Sequence, residues 1–160
     1  MASYTRIIEL STNLPDALHA SYFNRALAKA HLGEYDSALR DADESIRLKP
    51  EEAHSYGMRS RVHELAGAFA DALTDATRAL AIDPRSTTAL QVRARILTEK
   101  GDLAGALRDC ETLISTNPVS PIGFACRAEV RTAQGDLSGA RVDRETEASL
   151  SEKWRGGRKS

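Results

Sequence analysis

Residues 19–52 read HASYFNRALAKAHLGEYDSALRDADESIRLKPEE, and residues 53–86 read AHSYGMRSRVHELAGAFADALTDATRALAIDPRS. Set one above the other, they align Arg25 with Arg59, Gly33 with Gly67, Ala38 with Ala72, Asp41 with Asp75 and Pro50 with Pro84. The step is 34 residues and it continues through Arg93 and Arg127, Gly101 and Gly135, Ala106 and Ala140, Asp109 and Asp143, and Pro118. Five independent columns sharing one interval make the chain a tandem array. Its units are 19–52, 53–86, 87–120 and 121–154.

Within a unit the periodicity is helical. Leu18, Tyr22, Ala26 and Ala30 fall at i, i+4, i+8 and i+12, one stripe of a first helix. Gly33 ends it, since glycine takes the left-handed conformation without a Cβ penalty. Tyr35, Ala38, Leu39, Ala42, Ile46 and Leu48 make the apolar face of a second helix, closed at Lys49-Pro50. In the fourth unit Ser120 is placed as an N-cap with Pro121 in the first turn. No window alternates as a strand does. The units are helix–turn–helix pairs, and the fold class is all-α.

The pattern resembles the tetratricopeptide repeat family, whose 34-residue unit has bulky residues at positions 4, 17 and 24, small ones at 8, 20 and 27, and proline at 32. Position 4 here is Tyr22, Tyr56, Leu90 and Phe124, position 8 is Ala26, Ser60, Ala94 and Ala128, and position 17 is Tyr35, Phe69, Leu103 and Leu137. Position 20 is alanine throughout. The departures lie at position 24, with Ala42, Ala76, Cys110 and Arg144, and in the last unit, with Glu147 at 27 and Glu152 at 32. A last helix turned polar suits a terminal cap. The resemblance implies a right-handed superhelical solenoid. Residues 1–18, with Ile7, Ile8 and Leu10, read as an N-terminal capping helix or a degenerate half repeat, the latter if the chain is a piece of a longer repeat protein. Residues 155–160 read as a flexible basic tail.

Composition narrows the function classes. Over 160 residues, 22 Lys and Arg stand against 23 Asp and Glu, a net charge of −1, which excludes nucleic-acid binding through bulk positive charge. No apolar run approaches the ~18 residues of a membrane span, and the N-terminus lacks the pattern of a signal peptide. Two cysteines make no disulfide framework and fit a reducing, cytoplasmic setting. Cys110 reads as a small core hydrophobe and Cys126 as a partly exposed thiol with no activating neighbour. The four histidines form no HxxxH or HExxH pair, so no metal site is expected, and no phosphate loop or nucleophile motif is present. The chain reads as a non-enzyme without cofactor.

The Arg column at position 7 and the Asp column at position 23 are expected to pair as a scaffold, between the two helices of a unit or across a junction. The alternative is a ladder of arginines for phosphates or acidic partners. A ligand is expected in the concave surface that stacked repeats create. By the resemblance, that groove is lined from the first helices, and its central residues would be Asn24, His54, Met58, Arg61, Gln91 and Arg95. The mix suits an extended peptide or a helix carrying an acidic group, although Arg61 and Arg95 would equally pair with Glu64 and Glu99. The family's clamp for acidic chaperone tails needs Lys, Asn, Asn, Lys and Arg at set positions. Here those positions hold Phe23, Leu27, Met58, Thr88 and Val92, or one unit later Gly57, Arg61, Val92, Ile122 and Cys126, and none matches. The leading expectation is a protein-binding adaptor or scaffold. A structural, self-associating module is the alternative, and an RNA-binding helical repeat is disfavoured by the 34-residue step and the near-neutral charge.

Overall fold

The computed structural model describes residues 15–156. The expected cap through Ile7, Ile8 and Leu10 lies outside the described residues, as does most of the basic tail. Eight helices follow one another among the described residues: α1 Pro15–His31, α2 Tyr35–Leu48, α3 Ala53–Leu65, α4 Phe69–Ile82, α5 Thr87–Glu99, α6 Leu103–Thr116, α7 Pro121–Gln134 and α8 Leu137–Gly156. No strand occurs among them. The all-α helical repeat expected from the period is the architecture observed.

Turn chemistry sets the hairpins. Gly33, Gly67, Gly101 and Gly135 all have positive φ, between 77° and 83°, and stand where the first helix of each pair stops. At the last of these, Gly135 donates its backbone N–H to the carbonyl of Thr132, so the left-handed residue also closes the helix. Ser120 caps α7, accepting from the Ile122 N–H at 3.4 Å, with Pro121 directly behind it.

The chain divides into two compact units within α5, between Val92 and Arg93. In the first, α1 packs on α2, α3 on α4, α2 on α3, and α1 on α3. Its core joins Ala26, Ala30, Ala38 and Ala42 to Met58 and Val62, with Phe23, Tyr35 and Leu39 against the edge. Small residues are what allow this approach. Ala38 and Ala72 are fully buried here, as Ala106 and Ala140 are in the second unit. A buried polar chain crosses the same core: His19 Nε2 lies 2.9 Å from Ser55 Oγ, and Ser55 Oγ lies 3.0 Å from Ser45 Oγ. Both serines are completely buried, so this chain ties α1, α2 and α3 together rather than meeting a substrate.

In the second unit α6 packs on α7 and α7 on α8. Two cysteines expected as separate thiols prove to be joined: Cys110 on α6 and Cys126 on α7 form a disulfide, with Cα atoms 5.5 Å apart. The pair is inside the protein, at 0% and 9% exposure, which also corrects the expectation that Cys126 is partly exposed. The reason is positional. Positions 24 and 6 of successive repeats meet at a junction, as Ala42 and Met58 do in the first unit's core. On α8, Arg144 is exposed and donates to Thr132 Oγ1 at 3.0 Å, so a charged residue stands where the inner repeats bury alanine or cysteine.

Candidate functional site

The most regular chemistry is the Arg–Asp pair of each repeat. Arg25 holds Asp41, Arg59 holds Asp75, Arg93 holds Asp109 and Arg127 holds Asp143, always from the first helix of a pair to the second. Nε donates to Oδ2 at 2.7, 2.7, 2.8 and 2.9 Å, and Nη2 donates to Oδ1 at 2.6 to 2.7 Å. This is the planar two-point fit of guanidinium to carboxylate. The aspartates are 1 to 5% exposed, so the pair lies between the helices. Aromatic residues at position 4 cover the guanidinium in three repeats, with Tyr22, Tyr56 and Phe124 centroids 5.4, 5.8 and 5.7 Å away.

Electrostatics agree with a scaffold role. Hydrogen bonding to the carboxylate outweighs burial and raises Arg25, Arg59, Arg93 and Arg127 above the ordinary arginine value. Burial alone would push the Asp41 carboxyl up, but hydrogen bonds and charge from Arg25 and Lys29 hold it below the usual carboxylate range. Lys29 sits 2.7 Å from Asp41, Arg131 2.9 Å from Asp143, and His63 Nε2 3.7 Å from Asp75. Repeat three has Leu97 at that place, so Arg93 is the only cation paired with Asp109 among the described residues. These arginines face the protein's own carboxylates. The scaffold expectation holds within each repeat.

What the repeats do not share lies on the first helices. In the first unit, Phe23, Leu27 and His31 recur every four residues along α1, and His54, Arg61 and Leu65 mark the matching stripe of α3. The Phe23 and His54 rings join the two stripes, stacked at 4.5 Å and 25°. Leu27, one turn after Phe23, is 37% exposed, and Leu65, at the other end of α3 from His54, is 42% exposed. An open cleft of ≈ 410 Å³ begins at His54 and runs past Arg85, Thr87 and Thr88.

The residues expected to contact a partner separate on inspection. Asn24 and His54 are exposed, and Gln91 is half-buried on α5. Met58 is 3% exposed inside the first unit's core, where it packs among alanines. Position 6 also holds buried Val92 and Cys126, and that apolar run was the sequence signal for a packing position. Arg61 donates from Nη1 to Glu64 Oε2 at 2.9 Å, the internal pairing weighed against a ligand role. Arg95 lies in the second unit, on the later part of α5, half-buried. The sequence reading placed Phe23 and Leu27 on this face too, but a Phe23–His54 stack required knowing that α1 and α3 are adjacent.

Paired helices at a 34-residue step, each pinned by an Arg–Asp fork, define an α-helical repeat protein. Residues 19–52 match the tetratricopeptide repeat family model, and the chain has the fold of a tetratricopeptide repeat protein. Among curated proteins none matches significantly. Solved structures do. A crystal structure of MamA is similar at 15% identity and TM-score 0.70, over 97% of this chain and 88% of that one. The first tetratricopeptide domain of Spaghetti (RPAP3), bound to the HSP90 peptide SRMEEVD, is similar at 20% identity and TM-score 0.66, over 75% and 93%. The Arabidopsis OM64 tetratricopeptide domain is similar at 18% identity and TM-score 0.66, over 71% and 94%. At these identities the likeness is one of fold, a fold that commonly mediates protein–protein interaction.

Proposed function

We propose that the protein is a non-enzymatic adaptor that holds a peptide or a segment of a partner protein against the α1 and α3 face of its first unit. One observation carries the reading: the stacked Phe23 and His54 rings join α1 to α3, with Leu27 exposed one turn further along α1, and adjoin the cleft at His54. A stacked aromatic pair beside exposed Leu27, with the Asn24 amide next to Phe23 in the chain, is suited to apolar side chains of a bound segment and its backbone polar groups. Gln91 extends this polar set. An acidic group on the ligand would have to displace Glu64 from Arg61. The chaperone-tail clamp is no part of this reading, because its residues are missing.

The exposure of Val142 and Trp154 on α8, at 54% and 53%, favours self-association as the second reading. Among the described residues no helix is long and apolar enough to cross a membrane. We place the protein in the cytoplasm, away from nucleic acid, on its near-neutral charge; there the Cys110–Cys126 bond would form only on oxidation.

A peptide selected from a random displayed library tests the reading. Its affinity should fall tenfold or more with Leu27→Asp and with His54→Ala, and stay unchanged with Thr74→Asp on α4. Equal affinity for all four proteins refutes the assigned face. A failure to select any peptide, together with a mass that rises with concentration and returns to monomer in Trp154→Ser, selects self-association.

A further inference from the structure

Each junction between successive repeats brings position 24 of one against position 6 of the next. Ala42 and Met58 share one core cluster, and Ala76 and Val92 occupy the same places, both fully buried. At Cys110 and Cys126 those places carry a covalent bond between α6 and α7. The same junction is closely packed by a second feature. A Cβ on Gly123 of α7 would come within 2.8 Å of the Ile114 backbone N and 3.1 Å of the Leu113 carbonyl carbon on α6. Gly123 therefore lets α7 lie directly on the backbone of α6, which brings the cysteines within the Cα range a disulfide spans.

The α7–α8 pair depends on that junction. Val142 and Arg144 of α8 are exposed, so the far side of the hairpin meets solvent, and its apolar support comes from α6. In a linear array, a repeat supported on one side is the first to open. A bond here acts on a hairpin whose other side is exposed at Val142 and Arg144.

We propose that Cys110 and Cys126 are a redox-controlled lock on the α7–α8 hairpin. Reduced, the two thiols fill their places as small apolar side chains, as alanine and valine do one junction earlier. Oxidised, they tie α7 to α6 and hold the hairpin down. The oxidant is a small-molecule disulfide. The Cys126 thiolate, the less buried of the two, attacks one of its sulfurs, forms a mixed disulfide and releases one small thiol. The Cys110 thiolate then attacks the Cys126 sulfur and expels the second. Two protein thiols lose two electrons to the small disulfide, and their two protons go to the released thiolates. Exposures of 0% and 9% confine the first step to moments when α7 lifts from α6, and the second follows as α7 settles back and brings the two sulfurs together. The lock thus closes only on a hairpin that has opened.

The test is hydrogen–deuterium exchange of the full chain, treated with glutathione disulfide or with dithiothreitol, beside a Cys110→Ala, Cys126→Val variant. That variant copies the packing pair of the preceding junction and cannot be oxidised. Exchange in α7 and α8 is expected to slow on oxidation by on the order of a hundredfold, the effect of closing a loop of this length. Exchange in α1 to α4 is expected to stay the same, and the variant to ignore both reagents. Oxidised protein should remain a monomer on a non-reducing gel and lose the mass of two hydrogens. Free thiols persisting after glutathione disulfide, a covalent dimer, or equal α7–α8 exchange in both states would each overturn the proposal. So would a variant that responds to dithiothreitol as the native chain does.

Discussion

Removing Arg93 is the sharpest test of the scaffold, because its carboxylate partner has no substitute. Asp109 is 4% exposed and takes both its charged hydrogen bonds from Arg93, at 2.8 and 2.6 Å. Arg93→Met keeps most of the aliphatic stem and leaves the carboxylate buried and unpaired. Breaking a buried pair in this way costs about 3–5 kcal/mol, and the 30% exposure of the Arg93 side chain puts the expectation near the lower bound. Arg25→Met is milder, about 1–2 kcal/mol, because Lys29 still faces Asp41 at 2.7 Å. A third variant separates charge from packing: Arg93→Met with Asp109→Leu removes both charges and should recover most of the loss. Urea unfolding followed by helical circular dichroism gives the three stabilities. A loss below about 1 kcal/mol for Arg93→Met, or a double variant as unstable as the single, would refute the reasoning.

Three further outcomes follow from the same geometry. Asp41 has a lowered pKa in the folded protein, so its pairing stabilises above the ordinary value of about 4 and is lost as pH falls through the folded value; the stability gap between wild type and Asp41→Asn should be flat from neutral pH to about 5 and shrink below about 4. An unchanging gap in acid contradicts this. Ala72→Leu should cost about 1–3 kcal/mol in thermal or urea unfolding, since Ala72 is fully buried between packed helices and there is no room for the added carbons. Gly101→Ala isolates a backbone effect: a Cβ there meets nothing within 4 Å, but φ is +83°, so a loss of about 1–2 kcal/mol is expected from conformation alone. A neutral Gly101→Ala would mean that the turn relaxes freely.

The period made most of the scaffold legible. Columns of Gly, Ala, Arg and Asp each answer to one local requirement, so spacing located the four turns and the alanine contacts and matched the Arg column to the Asp column, while the structure showed that they pair within a repeat and not across a junction. Features that exist once were harder to read. Cys110 and Cys126 stand 16 residues apart, as each Arg and Asp do, yet the first pairing crosses between repeats and the second stays within one. Assigning positions 24 and 6 to the same junction would have found the bond. Met58 reads from its position as lining the groove, and the structure buries it as it does Val92 and Cys126 of the same repeat position, a packing role that their apolar character already signalled. The Phe23–His54 stack belongs to no column at all; it depends on two unrelated residues meeting across α1 and α3.

The central claim is that the recurring charges hold the helices together while non-recurring side chains of α1 and α3 meet the partner. Titrating a selected peptide into isotope-labelled protein, and following backbone amides together with arginine Nε–H signals, tests both halves at once. The account predicts shifts around Phe23, Leu27, His54 and Leu65, with the Nε–H signals of Arg25, Arg59, Arg93 and Arg127 unmoved and slow to exchange. Peptide-induced shifts at those four arginines, with α1 and α3 undisturbed, would contradict it.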